Sequence, residues 1–188
     1  MRTARFLPAQ IWTISQTDDG NAVYVRPDGS ELVLPVYVSE GDVQTILVEL
    51  THIMAPRPMI YELFLGTVEA LHGRLVRVEI YDVRGGSYLC RAVFMQQGKE
   101  ISLESRPSDI LCLAARVECP VLVCDTLLAQ SGVPLSQVSS KTAKEVVPGD
   151  TPVLSEMLKG ELRIALENEE YERAALLRDR LAEMARGE

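Results

Sequence analysis

Leu103–Arg116, reading Leu-Glu-Ser-Arg-Pro-Ser-Asp-Ile-Leu-Cys-Leu-Ala-Ala-Arg, is polar in its first half and apolar in its second. Pro107 stands at the change. Proline has no N–H to lose at the first helical position and its fixed φ suits that turn, so Pro107 predicts the start of a helix. Ile110, Leu111, Leu113, Ala114 and Val117 then recur closely enough to wrap apolar contact around most of the helix, which predicts burial between other elements. The same helix begins among Glu104, Arg106, Ser108 and Asp109. Charges cannot be left unpaired inside a core, so a buried helix with a charged start holds that end against a rim or cleft. The plainest arrangement sets Asp109 on the positive end of the helix dipole and pairs Arg106 with Glu104.

Upstream of the helix, Leu75 to Val83 and Tyr88 to Met95 flank Arg84, Gly85, Gly86 and Ser87, and Gln97, Gly98 and Lys99 lead into Ile101 to Leu103. Turns this short between β-prone runs predict an antiparallel meander. Further back, Val43, Ile46, Leu47, Leu50, Ile53 and Met54 form one helical face from about Asp42, whose carboxylate suits a helix start. Ala55-Pro56-Arg57-Pro58 breaks that helix. Ile60, Leu63, Phe64, Val68 and Leu71 share the face of a second, closed by Gly73. The chain opens with Ile11–Ser15, Ala22–Arg26 and Glu31–Val38, separated by Asp- and Gly-rich turns, which predicts another antiparallel meander. Downstream of the central helix, Val121–Cys124 reads as a short buried strand, and Asp125 caps a turn or two of helix up to Gly132.

Pro134–Pro152 loses all periodicity and is rich in Ser, Lys, Thr, Gly and Pro, the composition of a tether. Leu154–Arg186 is strongly helical, with Asn168 and Glu169 between two apolar series, and predicts a helical hairpin that must dock or dimerise to bury its face. The expected organisation is an α+β domain over residues 1–133, mainly antiparallel sheet with packed helices. A linker follows over 134–153, then a tethered C-terminal α-helical hairpin over 154–188.

With 188 residues, 47% of them hydrophobic, the chain can bury one good core and carry a small appendage. No apolar run is long enough to span a membrane, and Pro8 interrupts the N-terminal segment before a signal-type apolar stretch forms; a soluble, cytoplasmic protein is expected. Cys90, Cys112, Cys119 and Cys124 lie in apolar runs without C-x-x-C spacing, the pattern of reduced core thiols. A formal charge of −8 repels polyanions unless positive charge is concentrated locally, and a bound divalent metal would supply such a charge.

No phosphate-cradling glycine loop or dinucleotide fingerprint is present, and His52 and His72 each sit near the end of an apolar helix without a nucleophile beside them. Carboxylates at element ends are the remaining resource. If Asp42, Glu62, Glu104 and Asp109 converge near Arg57 and Arg106, their hard oxygens suit Mg2+ or Mn2+, which activates water, while the arginines stabilise a charged transition state. Spacing alone does not establish the convergence.

Leu34-Pro35-Val36-Tyr37-Val38 with Asp42 and Gln44, then Arg57, Pro58 and Glu62, then Glu104-Ser105-Arg106-Pro107-Ser108-Asp109 and the helix to Arg116 together resemble the bifunctional nuclease domain family over roughly residues 8–133. The resemblance implies a compact α+β domain that self-associates into a homo-oligomer, with metal-assisted activity against DNA and RNA. On the nuclease reading, Glu62, Glu104, Asp109 and Arg106 are expected to carry catalysis, Asp42 to hold the metal with the three other carboxylates, and Arg57 with Arg106 to engage the nucleic acid. Where the family usually shows Thr, His and Asp after the Arg-Pro pair, this chain has Ile60, Tyr61 and Glu62, and Glu104 replaces an Asp. Glutamate keeps the charge. Tyrosine does not replace a histidine base near neutral pH, since it ordinarily titrates near ~10.

Residues 155–186, through Glu169, Glu170, Tyr171, Glu172, Ala174, Ala175, Leu177, Arg178 and Asp179, resemble the UVR motif. That likeness implies a protein partner contacted by Tyr171, Arg178 and Asp179. Two functions stay open on these residues. One is a metal-dependent nuclease with an interaction tail, and the other a non-catalytic oligomeric interaction or regulatory protein of the same fold. A small anion at the Arg106 helix entry is a third possibility.

Overall fold

Two meanders and one short strand build the sheet of this computed structural model, which describes residues 5–17, 20–50, 58–140, 144–145 and 152–186. β1 (Phe6–Thr17), β2 (Gly20–Pro27) and β3 (Leu32–Val38) form the first meander; β4 (Gly73–Arg84), β5 (Ser87–Gln96) and β6 (Lys99–Ser105) form the second. Gly85 and Gly86, at φ 58° and 83°, lie between the paired Arg84 and Ser87, a two-residue loop whose central positions both require positive φ. β7 (Val121–Cys124) joins the meanders, antiparallel to β1 and parallel to β4. The strand order is therefore β6-β5-β4-β7-β1-β2-β3-β8, with β8 (Val133–Pro134) at the far edge and β9 (Lys144–Glu145) paired to β1.

Helices α1 (Glu40–Leu50), α2 (Ile60–Ala70), α3 (Pro107–Val117) and α4 (Asp125–Ser131) contribute to one continuous core. There Val23, Val25, Leu34, Val36, Val78 and Ile80 of the sheet meet Ile46, Leu47, Ile110 and Leu111 of the helices, all fully buried. Each such aliphatic side chain contributes about 1.5–3 kcal/mol, which is why α3 needs apolar residues nearly all round. The opposite face carries a smaller cluster. Ala22, Tyr24 and Val33 are covered there by Val138 of α5 (Leu135–Ser140), with Trp12, Val133 and Leu135 beside them.

The predicted α+β class and both meanders are present, as is the strand at Val121–Cys124. The first strand is longer than Ile11–Ser15, because its N-terminal half pairs with β7, a partner remote in sequence. The stretch expected to be a tether from Pro134 holds β8, α5 and β9; Val138 supplies the apolar anchor that composition hides. Helix α2 closes at Leu71, and His72, not Gly73, takes the left-handed conformation at φ 58°. Gly73 begins β4, where an added Cβ would lie 3.1 Å from Val68 Cγ1. Residues 51–57, with His52 and Arg57, fall outside the described residues.

At the C-terminus, α6 (Pro152–Glu167) and α7 (Tyr171–Arg186) form the expected hairpin, with Glu169 at φ 61° in its turn. Leu158, Ala165 and Ala174 are buried, whereas Leu166 and Tyr171 face solvent. All four cysteines are free thiols. Among the described residues no helix is long and apolar enough to cross a membrane.

Candidate active site

Helix α3 starts as its sequence predicts, with Arg106 as N-cap in extended conformation and Pro107 in the first turn. Asp109, one turn in, reaches back to that cap. Its Oδ2 accepts the Arg106 Nε–H at 2.8 Å and its Oδ1 accepts the Nη2–H at 2.8 Å, a two-pronged grip that fixes the guanidinium plane. Oδ1 also accepts the Tyr61 hydroxyl of α2 at 2.9 Å. Arg106 nonetheless remains 70% exposed. The expected Arg106–Glu104 pair is therefore replaced: Asp109 lies on the arginine's own helix, whereas Glu104 accepts the Tyr81 hydroxyl at 2.9 Å across the second meander.

The electrostatics follow from these contacts. Arg106 holds the Asp109 carboxyl below the usual carboxylate range; partial burial opposes this and the Tyr61 hydrogen bond reinforces it. Tyr61 is driven far above its ordinary value, chiefly by burial, with the Cys112 thiol and Asp109 adding to the effect. It is a donor that steadies Asp109 and not a base near neutral pH. Cys112 itself is pushed up to about 12 by burial, so its thiol stays protonated.

Arg106 opens onto a cleft of about 750 Å3 whose walls include Tyr37, Asp42, Tyr88, Glu104 and Ser108. Asp42 comes from the start of α1. Its Oδ2 accepts the Ser39 hydroxyl at 2.7 Å, while Ser39 Oγ accepts the Asp42 N–H at 3.1 Å, a reciprocal cap that pins the carboxylate at the rim. Asp42 also adds to the field that keeps Arg106 charged, after Asp109. Thus Asp42, Glu104 and Arg106 share one cleft, and Asp109 fixes the arginine from behind.

Glu62 does not join them. Its Oε2 accepts the Met59 N–H at 2.9 Å, capping α2, and its Oε1 pairs with Arg116 from the last turn of α3. Arg116 also lies 3.7 Å from Glu49, only 1% exposed. Glu62 therefore belongs to a largely shielded ion cluster between helix ends, where only Glu49 is fully buried; a carboxylate facing an arginine there is held by the cost of leaving either charge alone. Arg57 lies outside the described residues. Tyr37, Tyr88 and Arg116 were given no site role from the sequence, although Tyr37 and Arg116 lie in the segments that carry the family resemblance. Tyr37, 57% exposed at the end of an apolar strand, was the legible signal among them.

Among the described residues no group of three or more His, Cys, Asp or Glu side chains is placed to share a metal ion. The described residues thus present no all-protein cage. Asp42 and Glu104 are the carboxylate residues that line the cleft. On the tail, Tyr171 is 67% exposed, and Arg178 and Asp179, both largely exposed, bond to each other at 2.9 Å.

A family model described as the bifunctional nuclease domain matches residues 23–136, and the chain belongs to that family. An uncharacterized protein of Mycobacterium tuberculosis is 26% identical over 137 residues, 73% of this chain and 82% of the relative. Bifunctional nuclease 1 of Oryza sativa subsp. indica is 29% identical over 170 residues, and Bifunctional nuclease 2 of Arabidopsis thaliana 25% over 176. Each of these two alignments covers 82% of this chain, which spans about half the length of these plant relatives (51% and 52%).

Proposed function

We propose that the cleft binds the backbone of DNA or RNA and hydrolyses a phosphodiester with the help of Mg2+ or Mn2+. The observation that carries this reading is Arg106, held in a fixed plane by Asp109 yet 70% exposed to the cleft. A guanidinium oriented before substrate arrives can stabilise charge developing on a phosphoryl oxygen without reorganising. Tyr37 and Tyr88 on the same walls offer stacking surfaces for bases. The bound cation would supply local positive charge and lower the pKa of its water. Asp42 and Glu104 would hold it, and Asp109 and Tyr61 would keep Arg106 in place. Glu62 stabilises the helix ends behind the site. The α6–α7 hairpin is the protein-contact arm, with Tyr171, Arg178 and Asp179 on its exposed surface.

Incubating the full chain with single-stranded and duplex substrates, with Mg2+, Mn2+ or a chelator, tests this. Cleavage that the chelator stops, and that the paired substitution Asp42→Asn with Glu104→Gln abolishes while circular dichroism is unchanged, is the expected result. Cleavage indifferent to both would overturn it. A second reading, a non-catalytic oligomeric platform, is favoured by Tyr61 standing at the family's histidine position. Intact substrates in excess metal, with partner capture lost on deleting residues 154–188, would select it.

A further inference from the structure

The two-residue turn Gly85-Gly86 joins β4 to β5 at the end where Ser87 and Tyr88 enter the wall of the Arg106 cleft. Arg84 is the last residue of β4 and pairs directly with Ser87. Residues opposite each other in an antiparallel pair send their side chains to one face of the sheet, about 4.5–5.5 Å apart at Cβ. The alternation along β5 shows which face. Tyr88, Cys90 and Ala92 belong to the core, so Ser87 and Arg91 lie on the other side, and Glu104 of the cleft, paired with Arg91, lies there too. Arg84 therefore rises at the rim of the cleft, from the face that carries Ser87 and Glu104.

Its neighbours in charge are all engaged. On the same face Arg77 is bonded to Glu79 and Glu100, and Arg91 to Glu79. Arg84 is exposed, and among the described residues no hydrogen bond, ion pair or ring contact holds it. Asp82, two residues back on the strand, turns its Oδ1 to the Val83 N–H at 2.9 Å. In a chain of net charge −8, an uncommitted guanidinium beside a cleft is a local reversal of the field, and its planar fork of donors matches a phosphate.

Given the nucleic-acid reading of the cleft, on which this rests, we infer that Arg84 is a second phosphate-binding residue, holding a backbone phosphate that adjoins the one at Arg106. The substrate is then a strand that continues past the bond at Arg106, and a dinucleotide is a poor one. The spacing of the two cations supports separate phosphates. β5 lies between the strands that carry them, roughly 10 Å across two strand spacings, and Asp109 keeps Arg106 from swinging over. A single phosphate at Arg106 leaves Arg84 unused, whereas a longer strand occupies both.

Anisotropy of a labelled oligonucleotide with the full chain, in chelator so that nothing is cut, reads binding by itself. Arg84→Ala should weaken it about tenfold and lower its salt dependence by about one phosphate contact, and Arg84→Lys should recover part of the affinity. Lys99→Ala removes the same charge at the far end of β6 and should do neither. With metal present, the preference for a trinucleotide over a dinucleotide, as the ratio of kcat/KM, should fall about tenfold in Arg84→Ala, through KM. Wild-type affinity and salt dependence in Arg84→Ala would overturn the inference, as would an equal loss in Lys99→Ala or a wild type that binds no oligonucleotide. Binding that depends on Arg84 in a chain that cuts nothing would sink hydrolysis and leave the role of Arg84 standing; cleavage indifferent to Arg84 would do the reverse.

Discussion

Glu79 and Asp109 are both carboxylates gripped by arginine, yet one cluster is closed and the other open. Glu79, 3% exposed, accepts Arg77 Nε at 2.7 Å and Arg91 Nε at 2.6 Å. Arg77 turns its remaining nitrogens to Glu100, and Arg91 lies 5.0 Å over the Tyr81 ring. Those guanidinium groups are committed to the protein. Arg106 commits one edge to Asp109 and keeps most of its surface in the cleft. The difference separates a charge cluster that holds strands together from one that can receive a ligand. Both are ion pairs, so counting ion pairs would not distinguish them.

The largest effect should come from breaking the closed cluster. Glu79→Ala leaves two arginines without their shared partner and should cost about 2–3 kcal/mol in urea denaturation, the partial exposure of the arginines keeping the loss below that of a fully buried pair. Activity per folded molecule should not change. Arg106→Ala inverts that pattern, with cleavage falling on the order of a hundredfold and stability falling by no more than about 1 kcal/mol, since an exposed pair contributes little. Equal losses of stability in both variants would erase the distinction drawn here.

A pH titration sharpens the comparison. Asp109 is held below the usual carboxylate range in the fold, so its stabilising contribution is present above the unfolded carboxylate pKa near ~3.9 and is lost as pH falls through its lower folded value. Asp109→Asn should therefore be less stable than wild type by about 1 kcal/mol at neutral pH, and the gap should close in strong acid. The smallest effect is expected for Tyr61→Phe. Losing one hydrogen bond to Asp109 should cost about 0.5–1 kcal/mol and loosen Arg106, read as a higher KM for substrate with little change in the melting curve.

Hydropathy period and turn chemistry were enough to place most strands and helices, because short glycine and aspartate turns act locally. Pro107 opened α3 where a proline should. The site was half legible. Asp42, Glu104, Arg106 and Asp109 were recognisable as charges at element ends, but Glu62 was indistinguishable from them until Arg116 was found opposite it. Val138 was missed because one valine in a polar stretch carries no period.

From the chain alone came the identity of the elements, the charged start of a buried helix and the acidic character of the molecule. Only the tertiary structure decided that β7 lies between the two meanders, that Asp109 and not Glu104 holds Arg106, and that α2 keeps a second apolar face outward. Local signals fix φ and ψ within a few residues, whereas a side chain's partner depends on which remote surface the burial of the whole core brings against it.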